Sequence, residues 1–258
     1  MISEVYPIDN IAYLKTIEDN FFDLAYLDPE YGIGESSKNH KSRNTPIKQK
    51  NGSLLKTKDP VYTKEDWDSK PPTDEYFEHI FRTSKNQFIW GANYFYQIVN
   101  KPFNPPRRND FHKFISDNPK GWVIWDKING KNDFNDCELA WTSFDRPTII
   151  LPYLWNGMMQ GVSIQYGTIQ KGDKKQNEKR IHPTQKPMPI NKWVLKNYLI
   201  ENNKKVFDGG VGSQGSRIAA YEFGCDFYGC ENNKNILKLG TKNFNNFLKD
   251  YNTNYKLF

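Results

Sequence analysis

Residues 206–216 read VFDGGVGSQGS, and this stretch decides the fold class of the chain. A short apolar run ends at Asp208. The spacing G-x-G-x-x-G follows, where a helical pattern begins, and is formed by Gly210, Gly212 and Gly215. Glycines in that spacing let backbone N–H groups approach a ligand closely. A glycine-rich turn that serves packing alone is the alternative. In its strand–loop–helix context the spacing predicts an α/β fold with a nucleotide-type ligand at the loop.

Several other short apolar segments alternate with helical patterns along the chain. The predicted strands are residues 23–28, 86–91, 121–126, 147–151, 204–208 and 226–231. The predicted helices are residues 73–84, 189–201 and 213–223, with Thr73 as N-cap of the first and Gly224 at the end of the last. Strands that alternate with helices of this length favour an α/β fold with a mostly parallel, doubly wound sheet.

The length and composition favour one globular domain. At 258 residues the chain fits a single domain over 1–258, since a domain usually spans roughly 100–200 residues. Charged residues make up 26% and aromatic residues 15%, which argues against a disordered tail and a membrane protein. The sequence contains no apolar run of about 18 residues and no secretion-signal pattern at its start, so no membrane association is expected.

The cysteines and the other metal-ligand residue types show no grouping that indicates chemistry. Cys137, Cys225 and Cys230 are odd in number and lack CxxC or Cys/His spacing. We therefore expect reduced thiols in a cytoplasmic protein and no bound metal.

Basic residues are concentrated in two segments. The formal net charge of +6 is compatible with a polyanionic partner, although a solvated loop surface is the alternative for either segment. The first segment lies in a polar, proline-rich stretch over about 35–72, which we expect to be a mobile basic loop. The candidate phosphate-binding residues are Lys38, Lys41 and Arg43 in that stretch and Lys174, Lys175 and Arg180 in the second segment.

The charge beside the glycine loop favours one kind of cofactor. Asp208 would repel a pyrophosphate but attract the ammonium and sulfonium groups of S-adenosylmethionine. Glu231 ends the next strand, where a carboxylate can accept both ribose hydroxyls. Only about 27 residues follow Glu231, fewer than a second βαβ unit of ~30 residues needs. A nicotinamide-dependent oxidoreductase is therefore the weaker alternative.

Three motifs together resemble one enzyme family. LDPEYGIG at 27–34 resembles the DPPY catalytic motif of DNA amino-methyltransferases, and VFDGGVGSQGS at 206–216 resembles their cofactor motif. HPTQKP at 182–187 resembles motif X of the same family. The order along the chain is similar to the circularly permuted arrangement of the β class, which makes N6-methyladenine or N4-methylcytosine. The resemblance implies a Rossmann-like methyltransferase sheet with basic loop insertions.

The resemblance assigns roles to individual residues. The Asp28 carboxylate and the Pro29 carbonyl would grip the amino group of a base, and the Tyr31 ring would stack on that base. The residues implied for S-adenosylmethionine are Asp9, Thr184, Lys186, Asp208, Gly210, Gly212 and Glu231, with Thr184 and Lys186 at its carboxylate. The sequence departs from the family pattern at two places. Glu30 replaces the second proline of the catalytic motif. Gly209 and Gly210 replace a Pro-Phe pair whose aromatic ring forms one wall of the family's cofactor site.

The implied activity is transfer of a methyl group from S-adenosylmethionine to the exocyclic amino group of a flipped base in double-stranded DNA, with adenine N6 favoured. An N4-cytosine or RNA methyltransferase has the same site requirements. A catalytically silent DNA-binding homologue is the alternative from another class. The implied target-recognition region, about 145–180, is short, so we expect specificity to depend on a second subunit or on the loop at 35–72. A homodimer or a second specificity subunit is therefore the expected protein partner.

Overall fold

The computed structural model describes the greater part of the chain. The described residues are 1–33, 47–48, 52–55, 68, 70–95, 121–128, 135–155, 160–161, 169–170, 178, 180–181, 184–199 and 201–255. The predicted phosphate-binding residues that lie outside them are Lys38, Lys41, Arg43, Lys174 and Lys175. Most of the predicted loop at 35–72 and much of the region at 145–180 lie outside them as well.

Strands and helices alternate along the described chain. The strands are β1 (Ser3–Tyr6), β2 (Leu24–Leu27), β3 (Ile47–Lys48), β4 (Leu54–Leu55), β5 (Gln87–Trp90), β6 (Trp122–Asp126), β7 (Cys137–Thr142), β8 (Ile149–Pro152), β9 (Gln160–Gly161), β10 (Ile169–Gln170), β11 (Lys205–Asp208) and β12 (Asp226–Cys230). The helices are α1 (Asn10–Leu14), α2 (Asp74–Thr83), α3 (Met188–Tyr198), α4 (Gly215–Glu222) and α5 (Lys234–Tyr255), with a 3-10 turn at Ala92–Tyr94.

One mixed sheet organises the molecule. Its strand order is β1-β12-β11-β2-β5-β7-β6-β8, and β3–β4 and β9–β10 form separate two-stranded pairs. Strand β7 runs antiparallel to both of its neighbours, whereas the other seven strands run in one direction. The carboxyl ends of those seven strands therefore lie at one edge of the sheet, and the start of β7 lies there too.

Strands β11 and β2 are neighbours although they are far apart in sequence. They pair in parallel, with Phe207 opposite Ala25. The chain leaves β11 through α4 toward β12 and leaves β2 through α2 toward β5, so the two connections diverge from this point of the sheet. Ligands of open α/β sheets bind in the crevice outside the carboxyl ends of strands at such a point. In this chain Asp28 directly follows β2, and Asp208 is the last residue of β11.

Helices cover both faces of the sheet. One core cluster combines Leu14 of α1 and Phe77 of α2 with one face of the central strands. The other combines Val194 of α3 and Ala219 of α4 with the opposite face. This arrangement confirms the predicted doubly wound α/β fold, while the circular permutation stays a prediction.

The six predicted strands are present, with ends within two residues of those expected. The Thr73 hydroxyl caps α2 by accepting from the Tyr76 N–H at 3.4 Å, and Gly224 follows α4 with φ +73°, as predicted. Helix α5 was not predicted, because its sequence is rich in asparagine and contains Gly240, which have low helix propensity. Its burial of Phe244 against the rest of the fold offsets that weakness.

All three cysteines are free thiols, of which Cys225 and Cys230 are buried. Among the helices of the described chain, none combines the length and the apolar character required to cross a membrane.

Candidate active site

Asp28 lies where strand β2 ends. The strand itself is fully buried and apolar, and the following proline fixes the backbone at the carboxyl edge of the sheet. The Asp28 Oδ1 atom accepts hydrogen bonds from the Lys186 ammonium at 2.6 Å and from the Tyr31 hydroxyl at 3.0 Å. The side chain is 30% exposed, so the carboxylate is held by these two bonds and is still partly accessible from outside the protein.

Lys186 is buried at the centre of the site. Its Nζ atom also donates to Glu138 Oε2 at 3.0 Å and to the Tyr31 hydroxyl at 3.2 Å, and it lies 4.9 Å from the centre of the Trp90 ring. On the far side of Glu138, the Lys127 ammonium contacts Oε1 at 2.5 Å. Sequence reasoning missed Glu138 and Lys127, because only the antiparallel pairing of β7 with β6 brings them to this edge.

These close contacts shift the protonation equilibria. Burial raises the pKa of Glu138, but the ammonium groups of Lys186 and Lys127 outweigh it and lower that pKa to about 2. Burial lowers the pKa of Lys186, but the carboxylates of Asp28 and Glu138 outweigh it and raise that pKa. Burial raises the pKa of Asp28 against the opposing effect of Lys186. Lys186 and Glu138 are therefore both charged at neutral pH.

The segment before α3 is tied down by Glu178. Its carboxylate accepts from the Gln185 side chain at 2.7 Å and from the backbone N–H of Met188 at 2.7 Å. Gln185 in turn accepts from the Ile181 backbone at 2.8 Å. These bonds fix the residues on both sides of Lys186, and Glu178 carries no sequence signal that could have indicated this role.

Tyr31 packs more tightly than its predicted stacking role requires. Its ring lies so close to Gly91 that a Cβ there would stand 2.1 Å from it, and Gly91 has φ +66°. The Tyr31 ring also stacks on Tyr94, with 5.0 Å between ring centres and an interplanar angle of 19°. Tyr94 was not recognised from the sequence, although it follows the glycine that ends β5.

Asp208 secures the glycine loop from within. The side chain is 5% exposed, and it accepts from the Gly210 N–H at 3.1 Å and from the Ser216 hydroxyl at 2.5 Å. Burial raises the pKa of Asp208 to about 7, against these two hydrogen bonds, which lower it. The carboxylate thus shapes the loop directly, and Ser216 is a partner that the glycine pattern did not indicate.

Glu231 holds the other side of the same loop. It accepts from the Gly212 N–H at 3.3 Å and from the Asn233 N–H at 3.0 Å. The predicted residues Asp208, Gly210, Gly212 and Glu231 are therefore brought together at the ends of β11 and β12.

A cleft of about 210 Å³ joins the glycine loop to the Asp28 corner. Pro29 and Glu30 line one wall, and Gly209 and Gly210 line another. Tyr76 of α2 contributes an aromatic ring to this cleft, although the glycine loop lacks the aromatic residue of the family pattern.

The remaining predicted residues lie around this centre. Asp9 is exposed and caps α1 by accepting from the Ala12 N–H at 2.9 Å, next to Asn10, whose side chain donates to the Gly209 carbonyl at 3.0 Å. Thr184 is exposed in the turn before Gln185. Among the described residues no cluster of metal-binding side chains is found.

Arg180 lies against an aromatic ring. Its guanidinium is 5.1 Å from the centre of the Trp155 ring. It is the one predicted phosphate-binding residue within the part of the chain that the structure describes.

Comparison of the sequence finds no matching family model and no matching curated protein. Among solved structures, the chain is similar to M1.HpyAVI at 14% identity, covering 95% of this chain and 99% of that one with a TM-score of 0.48. It is similar to the complex of M1.HpyAVI with SAM at 14% identity, where the match covers 94% of this chain and 99% of that one with a TM-score of 0.45. It is also similar to the cytosine-N4-specific PvuII DNA methyltransferase at 12% identity, where the match covers 96% of this chain and 93% of that one with a TM-score of 0.45.

Proposed function

We propose that this chain transfers a methyl group from S-adenosylmethionine to the exocyclic amino group of a base in double-stranded DNA, with adenine N6 as the favoured acceptor. The observation that carries the proposal is the shared cleft at the divergence of β2 and β11. Its lining includes Pro29, the residue after Asp28, together with Gly209 and Gly210 of the glycine loop, and strands β2 and β11 pair directly beside it. The residues proposed to hold the base and the loop proposed to hold the cofactor are therefore adjacent. Direct transfer of a methyl group between the two ligands requires such proximity.

The Asp28 corner suits the activation of an amino group. An exocyclic amino group is a poor nucleophile, because its lone pair is delocalised into the ring. Two acceptors that grip its N–H bonds favour tetrahedral nitrogen and stabilise the developing positive charge. The hydrogen bonds that Asp28 accepts from described residues both end on Oδ1. Oδ2 and the backbone carbonyl of Pro29 are the acceptors we assign to the base.

The glycine loop has features that fit the cofactor. S-adenosylmethionine, when bound, would supply the methyl group on a sulfonium. Glu231 would accept its ribose hydroxyls from the position where it already fixes Gly212. Beside Gly210 a Cβ would meet no atom within 4 Å, so this side of the loop is open to a ligand. The aromatic ring of Tyr76 gives the same cleft an apolar wall.

The nucleic-acid contact follows from the geometry of the reaction. A base in a duplex must leave its stack to reach the Asp28 carboxylate, at a cost of a few kcal/mol. Arg180 near Trp155, together with the basic residues outside the described part of the chain, would supply phosphate contacts that offset this cost.

The test is methyl transfer from labelled S-adenosylmethionine to mixed-sequence duplex DNA, followed by digestion and identification of the labelled nucleoside. We expect label in N6-methyladenine with the wild-type chain, none with Asp28→Ala, and wild-type label with the control Asp250→Ala, an exposed residue of α5. Label in N4-methylcytosine would correct the base. No label in either base, with cofactor binding confirmed by calorimetry, would overturn the enzyme assignment in favour of a silent DNA-binding homologue.

A further inference from the structure

Four charged side chains form a continuous line beneath the proposed acceptor site. Lys127 contacts Glu138 at 2.5 Å, Glu138 contacts Lys186 at 3.0 Å, and Lys186 contacts Asp28 at 2.6 Å. Their signs alternate, so the line has no net charge. It joins β6, β7, the segment before α3 and the end of β2. The proposed function uses only its last member.

We propose that Lys186 is a positioning residue, which holds Asp28 as an oriented carboxylate for the amino group, and that Glu138 and Lys127 hold Lys186 in place. This inference rests on the proposed function for its catalytic meaning. It gives Lys186 a role different from the cofactor contact that the motif implies.

The hydrogen bonds of Lys186 support this role. A lysine ammonium has three N–H donors. The three recorded acceptors are Asp28 Oδ1, Glu138 Oε2 and the Tyr31 hydroxyl, at 2.6, 3.0 and 3.2 Å. The side chain is only 7% exposed. A cofactor carboxylate would have to displace one of these partners, whereas a positioning role uses all three as they stand.

Orientation of the carboxylate follows from where the bonds end. Lys186 and Tyr31 both donate to Oδ1, which fixes the plane of the Asp28 carboxylate. Because the carboxylate is planar and rigid, fixing Oδ1 and this plane also fixes the position of Oδ2. Oδ2 would meet the amino group without a reorganisation step, and such preorganisation is where electrostatic stabilisation of a transition state arises.

The surroundings of Asp28 make a cation necessary. Among the described residues that contact it, Lys186 alone is positively charged. Burial and nearby negative charges favour the protonated acid, which could not accept an N–H in the same way. Within the described part of the chain, the other ionisable groups near Asp28 are Tyr31 on its own loop, Tyr26 on β2, Glu138 on β7, Glu30 beside the corner and Asp208 at the glycine loop.

The experiment measures the titration of the Asp28 carboxyl by carbon-13 NMR of the full chain and, separately, the pH profile of methyl transfer. In Lys186→Met we expect the Asp28 pKa, and with it the acid limb of the profile, to rise by about 1–3 pH units. In Glu138→Gln we expect both to fall, because a negative neighbour is removed while the Gln side-chain oxygen can still accept from the Lys186 ammonium and keep it at Asp28. Lys186→Arg keeps the charge and should restore most of the wild-type position. Lys192→Met, which breaks only the exposed pair of Lys192 with Glu222, is the control on α3.

Opposite shifts in the two variants are the signature that a structural role would not produce. A uniform loss of rate at every pH, with the Asp28 titration unmoved, would overturn the inference. If Lys186→Met does not fold, the Asp28 pKa in Glu138→Gln is the deciding measurement: a fall supports the inference, and a rise or no change overturns it. The NMR titration does not need turnover, so shifts without any methyl transfer would contradict the proposed function while leaving the control of the Asp28 charge by Lys186 and Glu138 intact.

Discussion

The hydroxyl of Tyr76 lies against Gly209 so closely that a Cβ at position 209 would stand 2.4 Å from it. Position 210 is different, because a Cβ there would have open space. Two adjacent glycines of one loop therefore serve different purposes. Gly209 admits the Tyr76 side chain to the cleft, and Gly210 leaves room for a ligand.

Gly209→Ala is expected to damage the cleft, because the methyl group must displace the buried Tyr76 ring. We expect a loss of about 1–3 kcal/mol in the free energy of unfolding, measured by urea denaturation, with weaker S-adenosylmethionine binding by calorimetry. Gly210→Ala is the matched control and should leave stability within about 0.5 kcal/mol of wild type. Tyr76→Phe should rescue part of the Gly209→Ala defect. Equal losses of stability in Gly209→Ala and Gly210→Ala would contradict this assignment.

Tyr31→Phe should slow methyl transfer, although it keeps the ring. From the motif alone, stacking was the implied role of Tyr31, and stacking does not need a hydroxyl. The structure places that hydroxyl 3.0 Å from Asp28 Oδ1, where its hydrogen bond lowers the pKa of Asp28. The acid limb of the pH profile should therefore move upward in Tyr31→Phe, by less than in Lys186→Met. A profile identical to wild type would show that the hydroxyl is dispensable.

Asp208 should make the stability of the chain depend on pH. Its folded pKa of about 7 lies above the unfolded value of about 3.9, so the folded state binds the proton more tightly. The stabilisation from that proton is complete below about pH 4 and is lost as the pH rises to about 7. Asp208→Asn should remove this dependence, which amounts to roughly 4 kcal/mol at most. Urea unfolding of both chains between pH 4 and 8 provides the check, and parallel curves would refute it.

Glu231→Ala should weaken S-adenosylmethionine binding by roughly 1.5–3 kcal/mol, because the ribose hydroxyls and the Gly212 N–H would lose a charged acceptor. Glu231→Gln keeps an acceptor oxygen and should bind with intermediate affinity. Calorimetry should therefore find the highest affinity for S-adenosylmethionine in the wild type, a lower affinity in Glu231→Gln and the lowest in Glu231→Ala. Affinity that is unchanged in both variants would place the cofactor elsewhere.

Replacing Lys38, Lys41 and Arg43 together with Ala should weaken binding to any duplex and flatten its salt dependence. The slope of log K against log salt should fall by up to about 0.9 for each lost phosphate contact. The matched control replaces Lys238, Lys242 and Lys249, three exposed residues of α5. Equal slopes for the two triple variants, measured by fluorescence anisotropy, would show that the basic loop is ordinary solvated surface.

The sequence by itself determined the α/β class, the positions of the central strands and the residues at their ends. These features depend on local patterns: apolar runs closed by Asp or Gly, a glycine spacing before a helix, and the Thr73 cap. Asp28 and Glu231 directly follow buried strands and Asp208 ends one, and the carboxyl ends of parallel strands meet at one edge.

Only the tertiary structure decided which charges surround those carboxylates. Glu138 and Lys127 lie near Lys186 because β7 runs antiparallel between β5 and β6, a pairing between segments far apart in sequence. The contact of Tyr76 with Gly209 likewise depends on how α2 packs on the sheet. Long-range register and packing carry no local sequence signal, since each depends on the balance of many distant contacts. The local sequence therefore predicts the strand ends and the carboxylates located there. The long-range pairing of the strands determines which charged side chains lie near those carboxylates and shift their pKa values.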